Sequence, residues 1–298
     1  MKVCFWGVRG SIPSPGPNTQ RYGGNTTCIE LRTDSDVLII FDAGTGIFQL
    51  AQKLLRFMPV RANLFVTHAH WDHIHGLPFF TPLYIPGNAL TVRGGFDLVT
   101  GRGIEQAMEV QLQYSYFPVR EVEMKATILY ETLTAGAPVT VGDATVTPQL
   151  LNHPVLNLGY RVDCNGKSVF FTGDHEAWVN IYSPEDDGYE EFQRLIEQRQ
   201  RDLDSALGGL DVLIADSSYT DAEYPTRVGW GHGTLEGNIL WARRLGVKKL
   251  ICTHHEPTRS DAELERVFTA ALASTGHVPG APGEPEVALS YEGMEIVL

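Results

Sequence analysis

The chain has 298 residues, of which 43% are hydrophobic and 20% charged, and its formal net charge is −13 with histidine taken as neutral. This length and composition indicate a folded globular protein. The acidic balance disfavours a broad nucleic-acid surface, which needs clustered lysine and arginine. The acidic balance does not exclude a small anionic substrate, because bound metal ions reverse the local electrostatic potential.

Cysteine spacing and hydropathy bear on the cellular location. Cys4, Cys28, Cys164 and Cys252 are scattered and form no Cys-x-x-Cys pair. They are therefore predicted to be buried thiols in a reducing compartment. The first residues do not resemble a signal peptide, and no apolar run approaches the roughly 20 residues of a membrane-spanning helix. We expect a soluble, cytoplasmic protein with no membrane partner.

The first third of the chain is predicted to alternate strands with one helix. Apolar runs that favour strands lie at residues 3–6, 28–33 and 37–42. Apolar residues then follow helical spacing from Ile47 to Met58, and Pro59 is predicted to end this helix. A loop rich in Gly, Pro and Ser follows the first strand. Its two arginines, Arg9 and Arg21, either contact a phosphate or are ordinary surface residues.

A dense cluster of metal-ligand side chains follows a predicted strand at 63–66. Four histidines and one aspartate fall within eight residues, at His68, His70, Asp72, His73 and His75. Neutral imidazole is the commonest protein ligand for zinc and similar ions, and a carboxylate adds charge. The His-x-His-x-Asp-His spacing therefore predicts a metal site rather than a solvated loop.

The rest of the chain continues the alternation of strands and helices. Further strands are predicted at 139–148, 159–162, 168–172, 211–216 and 249–254. Helices are predicted at 104–112, 190–207 and 235–245, and after Ser260. Thr234 and Ser260 are the expected N-caps, and Gly246 is the expected stop. The aromatic patch at 114–118 either lines a pocket for a ring or packs as ordinary core or lid.

Five predicted strands each end on a side chain of ligand type, and these are Asp42, His68, Asp174, Asp216 and His254. In layered α/β folds, sites collect at strand ends and in the loops beyond them. We therefore expect these side chains to converge on one cleft. The sequence contains no linker, repeat or low-complexity stretch, so a single domain spanning residues 1–298 is predicted.

The order and spacing of the ligand-type residues resemble the binuclear members of the metallo-β-lactamase superfamily. The residues that carry this resemblance are His68, His70, Asp72, His73, His153, Asp174 and His254. Asp42, in Asp42-Ala43-Gly44, is similar to the superfamily's first, structural motif. The resemblance implies an α/β fold of four layers, an αβ/βα sandwich.

Within the superfamily the chain looks most like the ribonuclease Z-like phosphodiesterases. The segment 158–162 after His153, the strand ending near Asp216, and His232-Gly233-Thr234 before the last ligand resemble that branch. The opening residues 6–11 look like cyclic-nucleotide phosphodiesterase-like relatives. The chain departs from ribonuclease Z in lacking a long tRNA-binding arm before Asp174, and in carrying Asp216 where ribonuclease Z has a glutamate.

The resemblance implies a centre of two divalent ions, with Zn²⁺ expected and Mn²⁺ or Fe²⁺ as alternatives. One ion would be held by His68, His70 and His153, the other by Asp72, His73 and His254, and Asp174 would bridge them. The reaction implied is hydrolysis of a small phosphodiester, preferably a cyclic nucleotide, by a metal-bridging hydroxide. The residues assigned to catalysis are Asp72, His232 as general acid, and Asp216, which orients His232. Asp42 is expected to organise loops by hydrogen bonds rather than to bind metal.

The expected partner is a small phosphodiester substrate, and no large nucleic acid is expected, because the tRNA arm is missing and the net charge is −13. Ribonuclease Z-like proteins suggest a homodimer by analogy. Two alternatives stay open at this point. One is another hydrolase of the superfamily, such as a lactonase, thioesterase, lactamase or nuclease. The other is a non-enzymatic metal-binding signalling module.

Overall fold

Two seven-stranded sheets form the centre of the computed structural model, which describes the backbone of residues 1–298 and every side chain except that of Glu121. In order of pairing, the first sheet contains β14 (Glu295–Val297), β1 (Lys2–Gly7), β2 (Cys28–Arg32), β3 (Leu38–Phe41), β4 (Arg61–Phe65), β5 (Ala89–Gly94) and β6 (Thr127–Thr132). The second contains β13 (Glu286–Leu289), β12 (Lys249–Thr253), β11 (Val212–Asp216), β10 (Lys167–Phe171), β9 (Asn157–Cys164), β8 (Ala144–Leu151) and β7 (Val139–Val141).

Helices cover the outer face of each sheet. The α-helices are α1 (Ile47–Leu54), α2 (Trp71–Ile74), α3 (Ile104–Gln111), α4 (Tyr189–Leu207), α5 (Leu235–Leu245) and α6 (Asp261–Ser274). Short 3₁₀ helices lie at Leu77–Phe79, Thr81–Tyr84, Glu121–Glu123 and Tyr224–Thr226. The first three α-helices share a buried apolar cluster with the first sheet, and the last three share one with the second sheet. The predicted four-layer α/β sandwich is confirmed.

The inner faces of the two sheets pack on one another through aromatic rings. Phe41 of β3 stacks on Tyr160 of β9 at 5.9 Å between ring centroids and contacts Phe171 of β10 at 5.7 Å. The Tyr160 hydroxyl donates a hydrogen bond of 2.6 Å to the carbonyl of Val66, just beyond β4. A buried Tyr hydroxyl needs such a partner. This bond ties the second sheet to the strand that leads into the histidine cluster.

Strand direction brings the predicted ligands to one edge of the sandwich. β3 and β4 are parallel in the first sheet, and β10, β11 and β12 are parallel in the second. β8 runs in the same direction as β10, because both are antiparallel to β9. The carboxyl ends of all these strands therefore open into the same region, as parallel strands require.

Two helix ends differ in how well they were predicted. As predicted, the Thr234 hydroxyl accepts a hydrogen bond of 3.0 Å from the Gly237 N–H at the start of α5, and Gly246 ends that helix at φ +66°. In contrast, α1 ends at Leu54 and not at Met58. Met58 precedes Pro59, and the residue before a proline is disfavoured in helical conformation. The Met58 side chain is 36% exposed.

Within the described residues, no helix is both long enough and apolar enough to cross a bilayer. All four cysteines are buried and free, as expected for thiols that take no part in a disulfide framework.

Candidate metal centre

The first ligand group joins both sheets. His68 follows β4, His70 immediately precedes α2, His153 follows β8 and Asp174 follows β10. The ring nitrogen His70 Nδ1 lies 2.9 Å from His68 Nε2 and 3.2 Å from His153 Nε2. Asp174 Oδ2 lies 3.6 Å from His68 Nε2. All four ligand atoms lie within 4.8 Å of one another, so they can share one ion.

The second ligand group uses the other oxygen of the same Asp174. Its Oδ1 lies 3.2 Å from His73 Nε2 and 3.1 Å from His254 Nε2. Asp72 Oδ2 is 3.3 Å from His73 Nε2 and 3.2 Å from His254 Nε2. These two groups contain all seven residues predicted as ligands, with Asp174 common to both.

The donor atoms fit divalent metal ions. With Zn–N bonds of 2.0–2.1 Å, tetrahedral ligands lie about 3.3 Å apart, which is close to the spacings in both groups. Among the described residues, His73 Nε2 and Asp174 Oδ1 are buried and have no hydrogen-bond partner. A buried polar atom without a partner is costly unless something else binds it. Both atoms belong to the second group, and an ion bound there would satisfy them.

Hydrogen bonds on the far side of the rings point the free nitrogens inward. Nδ1 of His153 lies 2.9 Å from the carbonyl of Gly231, so it donates its proton there and leaves Nε2 free. Nδ1 of His73 lies 2.7 Å from Asp42 Oδ2. Such outer partners fix the tautomer and the ring orientation of metal-binding histidines. Asp42 lies outside both ligand groups and supports His73, in the organising role expected of it.

The pKa values of these groups shift in both directions: the charges of Asp174 and Asp72 outweigh burial and raise the pKa of His73 well above its usual value, whereas that of His68 is lowered. Burial lowers the pKa of His68 well below its usual value, which keeps the ring neutral. Burial alone would raise the pKa of Asp174, but the imidazoles of His254 and His73 outweigh it and hold that pKa well below the usual range. Asp174, which is common to both groups, is therefore a carboxylate anion.

Asp216 and His232 form a pair beside the ligand groups. Asp216 Oδ2 lies 2.9 Å from His232 Nδ1, and the His232 ring stacks on that of His254 with centroids 5.0 Å apart. Burial by itself would lower the pKa of His232, but the charges of Asp216 and Asp174 outweigh it and raise the pKa to about 9. These two residues, with Asp174 and His254, also lie within ligand distance of one another.

Ser218 and Glu176 support the site but were missed in the sequence. Ser218 Oγ donates to Asp216 Oδ1 at 2.7 Å and lies 2.9 Å from Nδ1 of His254, so it links the pair to a ligand. The buried Glu176 carboxylate accepts hydrogen bonds from the backbone of Gly231, next to His232. The only local signals were their positions, two residues beyond Asp216 and Asp174 respectively.

Of the two arginines of the first loop, Arg21 is the expected surface residue and Arg9 is not. Arg9 is neither a surface residue nor placed to bind phosphate: it is fully buried and donates to the carbonyls of Gly23 at 2.9 Å and Arg259 at 3.0 Å. Arg21 is an exposed residue paired with Glu265.

In the aromatic patch at 114–118, Tyr114 and Tyr116 are more than 70% exposed, so they do not pack as core.

Comparison with known proteins agrees with this geometry. A sequence profile of the beta-lactamase superfamily domain matches residues 38–255. Ribonuclease Z of Staphylococcus aureus is 22% identical, over 91% of this chain and 94% of that protein. Zn²⁺-bound PqqB from Methylobacterium extorquens has the same fold, with a TM-score of 0.68 and 16% identity over all of both chains. Human tRNase Z, short form, superposes with a TM-score of 0.63 and 19% identity, covering 100% of this chain and 99% of that chain.

These relatives overturn one expectation. The prediction that no large nucleic acid is a partner is wrong, because the relatives include proteins named for acting on RNA and tRNA. The net charge of a whole chain does not report the potential at a metal site, which bound cations reverse. A missing arm likewise removes only one way of holding RNA.

The chain belongs to the beta-lactamase superfamily domain family, as its motifs predicted, and it is a hydrolase of the metallo-β-lactamase fold with a candidate site for divalent metal ions.

Proposed function

We propose that the chain hydrolyses phosphodiesters at a binuclear metal centre, with a cyclic nucleotide as its preferred substrate. One observation carries this proposal: the Asp174 carboxylate is shared by two ligand groups and also lies beside the Asp216–His232 pair. Its Oδ2 is 3.7 Å from His232 Nδ1. Two adjacent cations next to a proton donor are the arrangement that phosphoryl displacement needs.

The ligand sets are those of the two groups. His68, His70 and His153 would hold one ion and Asp72, His73 and His254 the other, and Asp174 belongs to both groups. Nitrogen and oxygen donors without sulfur suit Zn²⁺, which we propose as the resident ion, and also suit Mn²⁺ and Fe²⁺. When bound, two such ions supply Lewis acidity and an activated water for attack on phosphorus.

His232 is the group that delivers a proton to the leaving oxygen. Its Nδ1 is held by Asp216, so Nε2 is the nitrogen left to meet the substrate. The side chain is 13% exposed, which leaves a route to solvent and substrate. Asp216 holds the ring in one tautomer and stabilises its charged form. Without this proton, the leaving alkoxide would depart as an unstable anion.

The match to ribonuclease Z favours a second substrate of the same chemical class. An RNA strand offers the same phosphodiester bond, and the similarity covers 94% of ribonuclease Z. The catalytic groups would play the same parts on either substrate. The two candidates differ only in what lies beyond the scissile phosphate.

The test is one hydrolysis panel with the purified, metal-loaded chain. It contains 3′,5′-cyclic and 2′,3′-cyclic nucleotides, bis(p-nitrophenyl) phosphate, a precursor tRNA and a simple lactone. We expect diester turnover that a chelator abolishes and that His68→Ala removes. His75→Ala is the matched control, because His75 lies in the same cluster but outside the ligand groups. Turnover of the lactone alone, or undiminished diester turnover in His68→Ala, would contradict the proposal.

A further inference from the structure

Arg227 lies in the loop between β11 and α5, five residues before His232. Its guanidinium carbon lies 4.8 Å from the ring centroid of Trp230 and 5.6 Å from that of Tyr219. Cation–π contacts of this kind hold an arginine in place without neutralising its charge. The two rings therefore keep the guanidinium in a defined position.

The charge of Arg227 has no anionic partner among the described residues. Among the described residues its Nε is buried without a hydrogen-bond partner, and the carboxylate of Glu223, four positions earlier, is paired with Arg259 instead. Acidic residues exceed basic ones by 13 in this chain, so carboxylates are plentiful. A buried donor without a partner calls for an explanation, and a bound anion would provide one.

The position of Arg227 relates it to the candidate metal centre. The Tyr219 ring that it covers meets the His232 ring edge-on, with centroids 5.9 Å apart and planes at 83°. Trp230, its other ring partner, is followed by Gly231, whose carbonyl accepts the proton of His153 Nδ1. Arg227 and the proton donor His232 thus contact the same ring, Tyr219, and Arg227 lies in the loop whose Gly231 carbonyl bonds to His153 of the first ligand group.

We propose that Arg227 binds a phosphate group of the substrate, which rests on the proposed phosphodiesterase function. The planar guanidinium offers paired N–H donors that match two phosphate oxygens. The phosphate is either the scissile one or its neighbour along a nucleotide chain. Both sources share one chemistry, a phosphate anion at the edge of the metal centre.

The test compares Arg227→Gln and Arg227→Lys with the wild-type chain. We expect Arg227→Gln to raise KM for a phosphodiester about tenfold or more and to change kcat less than about twofold, because a binding contact is lost. Arg227→Lys keeps the charge and should restore part of the loss. Arg21→Gln is the matched control: Arg21 also lies over a tyrosine ring, at 5.5 Å, but it is already paired with Glu265.

Two substrates separate the sources of the phosphate. A rise in KM for thymidine 5′-(p-nitrophenyl phosphate), which has one phosphate, would place the scissile group on Arg227. A rise only for its 3′-phosphorylated form would place the neighbouring phosphate there. An unchanged KM for both substrates would overturn the proposal.

A binding measurement keeps this proposal separate from the proposed function. Calorimetric titration of the chelator-treated chain with inorganic phosphate needs no turnover. We expect Arg227→Gln to weaken this binding about tenfold, even if the wild-type chain cleaves no diester. Equal phosphate binding by both proteins, with only the melting temperature lowered, would show that Arg227 merely packs the two rings and would overturn the proposal.

Discussion

The Glu176 carboxylate accepts a hydrogen bond of 2.7 Å from the backbone N–H of Gly231, and the carbonyl of Gly231 accepts the proton of His153 Nδ1 at 2.9 Å. Glu176 also accepts bonds from the Gly229 N–H at 2.8 Å and the Tyr224 hydroxyl at 2.6 Å. Burial and the Glu176 charge raise the pKa of Tyr224, so its hydroxyl stays a donor. One buried carboxylate therefore holds the whole loop before His232 in place.

Replacing Glu176 should loosen this loop. In Glu176→Gln the amide turns a donor toward one of two backbone N–H groups, so at least one buried bond is lost. We expect the free energy of unfolding to fall by about 1–3 kcal/mol, and kcat for a diester to fall more than KM rises. Urea unfolding and steady-state kinetics measure these effects. Glu190→Gln, at an exposed position of α4, is the control. Equal effects in both variants would contradict the role given to Glu176.

Asp42→Asn should weaken metal binding without unfolding the chain. Asp42 accepts the Nδ1 proton of His73 at 2.7 Å, and loss of such an outer carboxylate typically costs 10–100-fold in metal affinity. Competition with a chromogenic chelator measures the affinity. Asp36→Asn is a matched control, because Asp36 has φ +60° and Asp42 has φ +59°, and asparagine tolerates both. Unchanged affinity in Asp42→Asn would show that His73 does not need this partner.

Local patterns in the sequence were enough to find the ligand strands. An apolar run followed by His68, or by Asp174 and His254, is visible without knowledge of any distant residue. Because parallel strands share one edge, the convergence of these residues follows from topology alone. In the structure, these three residues and the other four predicted ligands form two groups that share Asp174.

Supporting residues could not be found in this way, because their partners are distant in sequence. Glu176 bonds to residues 48, 53 and 55 positions further along the chain. Arg9 was expected either at the surface or on a phosphate, yet it is buried against backbone carbonyls about 250 residues away. Charge alone indicates neither burial nor partner, since both depend on how loops pack.

Single ligand variants should separate the two ions. His153 belongs only to the first group, whereas Asp174 belongs to both. We therefore expect two ions per chain in the wild type, one in His153→Ala, and fewer than one in Asp174→Ala. Elemental analysis of dialysed protein gives these numbers. Loss of both ions in His153→Ala would mean that the groups do not bind independently.

Metal removal should lower the stability of the chain. The site packs three carboxylates, Asp42, Asp72 and Asp174, around buried imidazoles. Ions that bind only the folded state stabilise it by about 4 kcal/mol per site at a thousandfold excess over Kd. We expect a chelator to lower the melting temperature of the wild type and to change that of His68→Ala less. An equal decrease in both proteins would place the stabilising ion elsewhere.

The buried His255 should make the metal-free chain sensitive to mild acid. Its Nε2 donates to the carbonyl of Ser290 at 2.9 Å, while its Nδ1 has no hydrogen-bond partner in the described part of the chain. Burial, which outweighs the bond to Ser290, lowers its pKa to about 3. Below the ordinary pKa of about 6.5 the unfolded chain binds the proton and the folded chain does not, so folding stability decreases as the pH falls.

His255→Gln should remove this part of the acid sensitivity, because its amide can still donate to Ser290 and does not titrate. Between pH 7 and pH 5 we expect the wild type to lose about 2 kcal/mol more stability than the variant. Urea unfolding with a chelator present measures the difference, and titration of the metal ligands cancels between the two proteins. The control is His75→Gln, at a histidine that is only partly buried. A pH dependence that is the same in His255→Gln and wild type would show that His255 is charged in the folded chain.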